Sequence, residues 1–286
     1  MKLVALTAVV LVAFAANSVF ARLALGTGEA EALAYTGIRL LSGAATLYVL
    51  MRWQARTGGR FRLGGNLRGA AGLFGYAILF SLAYLMLRTG TGALILFASV
   101  QFGLLGYAIL KGDRPSLFEW VGIVVALGSL AYLLSPGLVA PDPLGAVLMI
   151  GAGLAWSFFT IEGRGSQAPL TDTAGNFIRL SPIALVLTVG GLALDTPSGL
   201  GVLWAVASGA VASGLGYALW YYVLPKLAPS TPAFIQLTVP VIAAAGGVLF
   251  LAEPVTQRLI LASLGILGGV ALALWAAERR KRRTAA

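Results

Sequence analysis

Long apolar blocks, separated by short polar or turn-forming breaks, repeat along the whole of this 286-residue chain. A helix needs about 20 apolar residues to cross a bilayer, and block after block meets that length. Reading each block as a helix predicts ten spans, near residues 3–24, 31–51, 67–87, 92–110, 117–135, 144–162, 172–194, 200–224, 230–251 and 258–277. The breaks carry turn chemistry: Gly58-Gly59, Gly64-Gly65, Asp113-Arg114-Pro115, Ser135-Pro136-Gly137, Pro141-Asp142-Pro143, Thr196-Pro197-Ser198-Gly199 and Pro229-Ser230. The first block, with Lys2 before it and Ala21 near its end, also has the outline of a secretory signal. It is longer than a usual signal core and has a counterpart in the second half, so it is read as a retained helix.

Composition agrees with the pattern. Apolar residues make up 59% of the chain and charged residues 10%, against about 25% charged in a typical soluble domain. A soluble fold could not cover its surface with so few charges. The fold class is therefore an all-α membrane protein. With no cysteine and no histidine, thiol chemistry, disulfides, histidine-ligated haem, Cys/His zinc sites and a Ser–His intramembrane protease are all excluded. No cofactor and no metal are expected.

The net charge of +10 is a topology signal rather than a nucleic-acid footprint. Alternating the loops puts Lys2, Arg52, Arg56, Arg60, Arg62, Arg68, Lys111, Arg114, Arg164, Lys226, Arg279, Arg280, Lys281, Arg282 and Arg283 on one side. Only Arg22, Arg88 and Arg258 fall on the other, and Arg39 and Arg179 lie inside spans. Basic residues concentrate on the cytoplasmic side of membrane proteins, so both termini are expected in the cytoplasm and residues 278–286 form a basic cytoplasmic tail.

Sliding the chain on itself reveals a repeat at a shift of 140 residues. Ile38-Arg39-Leu40 meets Ile178-Arg179-Leu180, Asp113 meets Glu253, and Leu127-Gly128 meets Leu267-Gly268. At a shift of 139, Ala16-Asn17-Ser18-Val19-Phe20 meets Ala155-Trp156-Ser157-Phe158-Phe159. Residues 1–140 and 141–277 thus read as two copies of a five-helix unit. Five is odd, so the second copy enters the membrane from the opposite face. Inverted repeats around a central cavity are a transporter arrangement, because the halves can exchange conformations.

The Asn-Ser-Val-Phe segment in the first helix, Ile-Arg-Leu in the second and the acidic loop with proline before the last helix of each half resemble the drug/metabolite transporter superfamily, EamA branch. The aromatic-rich second half is similar to the aromatic amino-acid exporters of the YddG type. The resemblance implies a cavity lined by the first, third, fourth, sixth, eighth and ninth helices, with the fifth and tenth at the periphery. It also implies export across a bacterial inner membrane.

The candidate substrate-binding residues are Asn17, Tyr76, Phe80, Gln101, Trp156, Tyr217, Trp220 and Gln236. Amides within a span face protein or water rather than lipid, either lining a cavity or bonding helix to helix. Tyr76 and Phe80 share a helix face with Tyr84, too deep for an interfacial belt. Arg39 and Arg179 could clamp a carboxylate, but their duplication favours a structural role, snorkelling outward or bonding carbonyl oxygens. Asp113 and Glu253 are read first as caps of the fifth and tenth helices, with a gate-locking salt bridge as the sharper alternative.

None of the ten acids lies near a span centre, so no proton relay is expected. The cargo expected is a small zwitterionic or aromatic metabolite, an aromatic amino acid first, carried by a monomer through alternating access. A broader drug, nucleoside or amino-acid exporter is the nearest alternative. A channel, a scaffold or a membrane-embedded lipid enzyme is more remote, and no enzyme activity is expected.

Overall fold

The outer surface of the bundle is built from aliphatic side chains: Val4, Val124, Val147, Val186, Leu249 and Leu264 are all more than half exposed. Such a surface is stable only against lipid. The computed structural model describes residues 2–56, 62–137, 140–164, 166–227 and 231–285. The Gly58-Gly59 and Pro229-Ser230 breaks and Arg60 lie outside them, as do the side chains of Lys281, Arg282 and Arg283.

Ten helices long and apolar enough to cross a membrane are present among the described residues, and there is no strand. They are α1 (Lys2–Gly26), α2 (Ala32–Arg56), α3 (Leu67–Tyr84), α4 (Thr89–Leu110), α5 (Leu117–Leu134), α6 (Pro143–Glu162), α7 (Pro169–Leu194), α8 (Gly199–Lys226), α9 (Phe234–Leu251) and α10 (Gln257–Arg280). Polar residues at the breaks cap them. Asn66 Oδ1 accepts from Gly69 N at 2.7 Å, and Asp142 Oδ1 from Gly145 N at 2.8 Å. Ser198 Oγ accepts from Gly201 N at 3.0 Å. Each satisfies an N–H that the first helical turn leaves without a partner.

The expected caps at Asp113 and Glu253 are not there. α5 is capped by Ser116 with Glu119 in a reciprocal capping box, and Thr256 Oγ1 accepts from Leu259 N in the first turn of α10. Asp113 instead pairs with Arg280 at 2.7 Å, and Glu253 with Arg22 at 3.2 Å. Both are loop carboxylates within reach of a guanidinium from a distant helix, and Glu253 also accepts from Thr89 N at the start of α4.

Three helices depart from regular α geometry, and α1 does so in its last turn, which is π-helical over Arg22–Gly26. α8 is π-helical over Ala207–Leu215, a stretch of small residues. α9 is broken rather than continuous: a helical turn over Thr231–Gln236 gives way at 237–238 to Val239–Leu251. Pro240 has no N–H for the carbonyl of Gln236 four residues earlier, and its ring crowds that carbonyl, so the helix cannot run through.

Packing is by pairs. α2 lies along α7, α5 along α10, α3 along α6 and α1 along α8; α4 contacts α6 and α9, and α9 contacts α1. Small residues permit the closest approaches. The Gly122 and Gly269 positions hold the α5 and α10 backbones together, and a Cβ at Gly209 in α8 would land on the carbonyl oxygen of Arg39 in α2. Backbone cannot step aside as a side chain can. Gly209→Ala is therefore expected to lower stability by about 1–3 kcal/mol, measured as an earlier thermal unfolding in detergent. Gly128→Ala, with nothing within 4 Å of its Cβ, should show no such loss.

Candidate functional site

Between the paired helices lies a cavity of about 420 Å³, within the usual range for small-molecule sites. α1 contributes Phe14, Asn17 and Ser18; α3 contributes Tyr76 and Phe80; α4 contributes Phe97, Val100 and Leu104. α6 supplies Trp156, Phe159 and Thr160, α8 Tyr217, Trp220 and Tyr221, and α9 Gln236 at its break. α7 adds Asp172, Thr173 and Asn176, a wall that the first-, third-, fourth-, sixth-, eighth- and ninth-helix expectation did not include. No lining residue comes from α5 or α10.

Among the described residues the cavity lining is exposed at one end only, the mouth. Gly163 and Arg164 at its edge are exposed, whereas Ser18 is 1% exposed and Phe80 0% at its inner end. Counting along α3 from Leu67, Phe80 lies about 20 Å in at 1.5 Å per residue, so the cavity passes the middle of the bundle. At the mouth, Asp172 Oδ1 accepts from Gly65 N at 2.8 Å and Asn176 Oδ1 from Asn66 N at 2.9 Å.

Nine aromatic side chains among the described residues lie in the wall. The Trp156 ring stacks on Tyr217 with centroids 5.5 Å apart and planes at 25°, and stands 4.7 Å from Tyr76 and 5.2 Å from Phe159. Phe14 meets Tyr217 at 5.9 Å and the edge of Trp220 at 5.7 Å. Offset and tilted contacts of this kind suit the ring quadrupoles and keep flat faces available to a guest.

At the inner end sits a polar knot. Asn17 Nδ2 and Arg39 Nη2 both donate to the Tyr76 hydroxyl oxygen, each at 3.0 Å. Ser208 Oγ in turn donates to Asn17 Oδ1. The guanidinium carbon of Arg39 is 4.8 Å from the Phe80 ring centroid and 5.1 Å from that of Tyr76. Arg39 is 2% exposed, and its Nη1 is buried without a hydrogen-bond partner among the described residues. It neither snorkels nor bonds carbonyl oxygens, which corrects the structural expectation. Its repeat equivalent does the opposite: Arg179 is exposed and donates through Nη1 to the Gly64 carbonyl. The difference is the neighbour, since Phe80 and Tyr76 offer Arg39 two ring faces where Arg179 meets a loop.

Beyond the knot the bundle is shut. Tyr84, fully buried, packs edge-on against Phe80 at 4.7 Å. Arg22 pairs with Glu253 and donates through Nη1 to the carbonyl of Tyr84 at 3.1 Å. Glu253 Oε2 accepts from Thr89 N at 2.8 Å. One ion pair thus joins the ends of α1, α3, α4 and α9.

Seven of the eight candidate residues, Asn17, Tyr76, Phe80, Trp156, Tyr217, Trp220 and Gln236, line this one cavity. Gln101 does not. Its neighbours Phe97, Val100 and Leu104 on α4 supply the wall instead. Phe14, Asn176 and Asp172 were passed over. Asn176 carried a legible signal, an amide inside a predicted span; Asp172, at a predicted helix start, had none.

The EamA-like transporter family model matches residues 143–275. An uncharacterised protein, PA1977 of Pseudomonas aeruginosa, is 45% identical over 272 residues, covering 94% of this chain and 93% of that protein. This chain belongs to the EamA-like transporter family. It is a multi-pass membrane transporter. The threonine/homoserine exporter RhtA of Salmonella typhimurium is 32% identical over 173 residues, 58% of this chain and 57% of that protein. The inner membrane transporter YedA of Escherichia coli, itself uncharacterised, is 28% identical over 100 residues, 35% of this chain and 32% of that protein. A solved crystal structure 19% identical superposes with a TM-score of 0.63, covering 94% of this chain and 99% of that one, a likeness of fold.

Proposed function

We propose that this EamA-family transporter exports aromatic amino acids, or similar small zwitterionic aromatic metabolites, across the inner membrane by alternating access. The observation that carries the reading is the aromatic cavity, exposed at one end and closed at its inner end by the Arg22–Glu253 pair. Its rings suit a planar guest, and its amides and hydroxyls suit a polar head. With the basic face in the cytoplasm, the mouth beside Arg164 opens to the cytoplasm and the latched end faces outward.

The helix pairing supports two inverted units, 1–140 and 141–277. Exchanging each helix for the one five places away leaves the principal contacts in place: α2 with α7 and α5 with α10 map onto themselves, and α3 with α6 maps onto α8 with α1. On that symmetry, closing the mouth forms a latch like Arg22–Glu253 between Asp113, the equivalent of Glu253, and Arg164, which lies two residues beyond the position that meets Arg22 at a shift of 140. Arg280, which now holds Asp113, keeps Glu119 as a second partner at 2.8 Å, so the exchange strands no charge.

A second reading, an aliphatic amino acid as cargo, is favoured by the similarity to RhtA. Counterflow of labelled substrate into liposomes separates the two. Saturable exchange of phenylalanine or tryptophan, and not of threonine or homoserine, is expected. Exchange of threonine alone would remove the aromatic reading and keep the transporter.

A further inference from the structure

We infer that the inner end of the cavity is a carboxylate subsite, in which the Tyr76 hydroxyl is the donor and Arg39 the counter-charge held behind it. The inference deepens the proposed function and rests on the cavity being the substrate site.

Hydrogen-bond arithmetic at Tyr76 comes first. Its oxygen accepts from Asn17 Nδ2 and from Arg39 Nη2, so both acceptor positions are taken by donors. Asn17 is held in that orientation because its Oδ1 accepts from Ser208 Oγ. The proton of Tyr76 is left over, and Tyr76 lines the cavity. A hydroxyl that accepts from a guanidinium is polarised into a stronger donor. What it seeks is an acceptor, preferably an anion.

Charge points the same way. Among the described residues Arg39 has no carboxylate partner, and its Nη1 has no hydrogen-bond partner. Two aromatic faces offset part of the cost of burying the cation, but a lone charge in a low-dielectric interior still favours an arriving anion. A substrate carboxylate at Tyr76 supplies one and neutralises the knot. The ring of an aromatic amino acid finds faces at Trp156 and Tyr217, while its ammonium, on the same carbon as the carboxylate, stays at the inner end beside Tyr76. The inner end holds no acid, so an amine lacking a carboxylate meets only like charge there.

Binding to the purified full chain, followed by tryptophan fluorescence, tests this with phenylalanine, hydrocinnamate (its carboxylate without the amine) and phenethylamine (its amine without the carboxylate), and with leucine and isoamylamine as an aliphatic pair. Phenylalanine and hydrocinnamate should each bind at least about tenfold more tightly than phenethylamine. Tyr76→Phe, which keeps the ring and its packing, should bring that ratio to within about twofold, and Arg39→Gln should do the same where it folds. Equal binding of the amine and the carboxylates to the wild-type protein overturns the inference, and so does a ratio untouched in Tyr76→Phe. Failure of every compound to bind overturns it too. Leucine binding over isoamylamine with no aromatic compound bound would instead remove the aromatic reading and keep the carboxylate subsite.

Discussion

Trp156→Ala is expected to weaken substrate binding by about 30-fold or more, equivalent to about 2 kcal/mol, while leaving the helices in place. Trp156 is the ring through which the two halves of the aromatic wall meet. It stacks on Tyr217 of α8 and stands against Tyr76 of α3. Being half-buried rather than enclosed, it has a face left for a guest, so its removal takes away a stacking surface more than a core contact. Trp156→Phe retains a ring and should recover most of the loss. Equilibrium binding to both variants, with far-UV circular dichroism to verify the fold, decides it. Unchanged affinity in the alanine variant would mean that the wall is packing and nothing more.

Glu253→Gln is expected to unlatch the closed end. The pair joins residues 231 apart in sequence and is largely shielded, with side-chain exposures of 20% for Arg22 and 12% for Glu253. Exposed pairs contribute about 0–1 kcal/mol, whereas breaking a buried one costs about 3–5 kcal/mol. A pair of intermediate burial made only in the latched conformation would shift the balance of conformations by about tenfold for each 1.4 kcal/mol it contributes. Ser18, now 1% exposed at the inner end, reports the change. In Ser18→Cys protein, labelling by an impermeant thiol reagent from the latched face should rise about tenfold when Glu253→Gln is added. Exchanging the two charges, Arg22→Glu with Glu253→Arg, should reverse much of that rise. Labelling that stays at the wild-type level would show that the ion pair does not hold this end shut.

The spans were legible because lipid as solvent leaves few choices: a helix must satisfy its own backbone and be long enough to cross. The Tyr76–Phe80 face was legible too, since a spacing of four residues fixes a shared side on any helix. What decides between partners was not. Arg39 and Arg179 sit in identical Ile-Arg-Leu triplets, yet one lies buried against two rings and the other at a loop. No local pattern distinguishes them, because the deciding neighbours come from another helix. Glu253 was visible as a loop acid, but Arg22 lies at the far end of the chain. The α9 break had a legible signal in Pro240, which removes one backbone N–H and crowds the preceding turn. Gln101 shows the converse limit: an amide in a cavity-lining helix need not line the cavity.

The chain has no cysteine, so paired spin labels can be placed only where they are introduced. Lys111→Cys with Lys226→Cys spans the mouth, and Arg88→Cys with Thr196→Cys spans the latched end; all four positions are exposed. Electron–electron distances in lipid nanodiscs, with and without saturating substrate, test whether one cavity is opened to two sides in turn by inverted halves. Substrate should populate a shorter mouth distance and a longer latched-end distance together. Distances that move in the same direction, or that stay fixed while substrate is bound, would contradict the account.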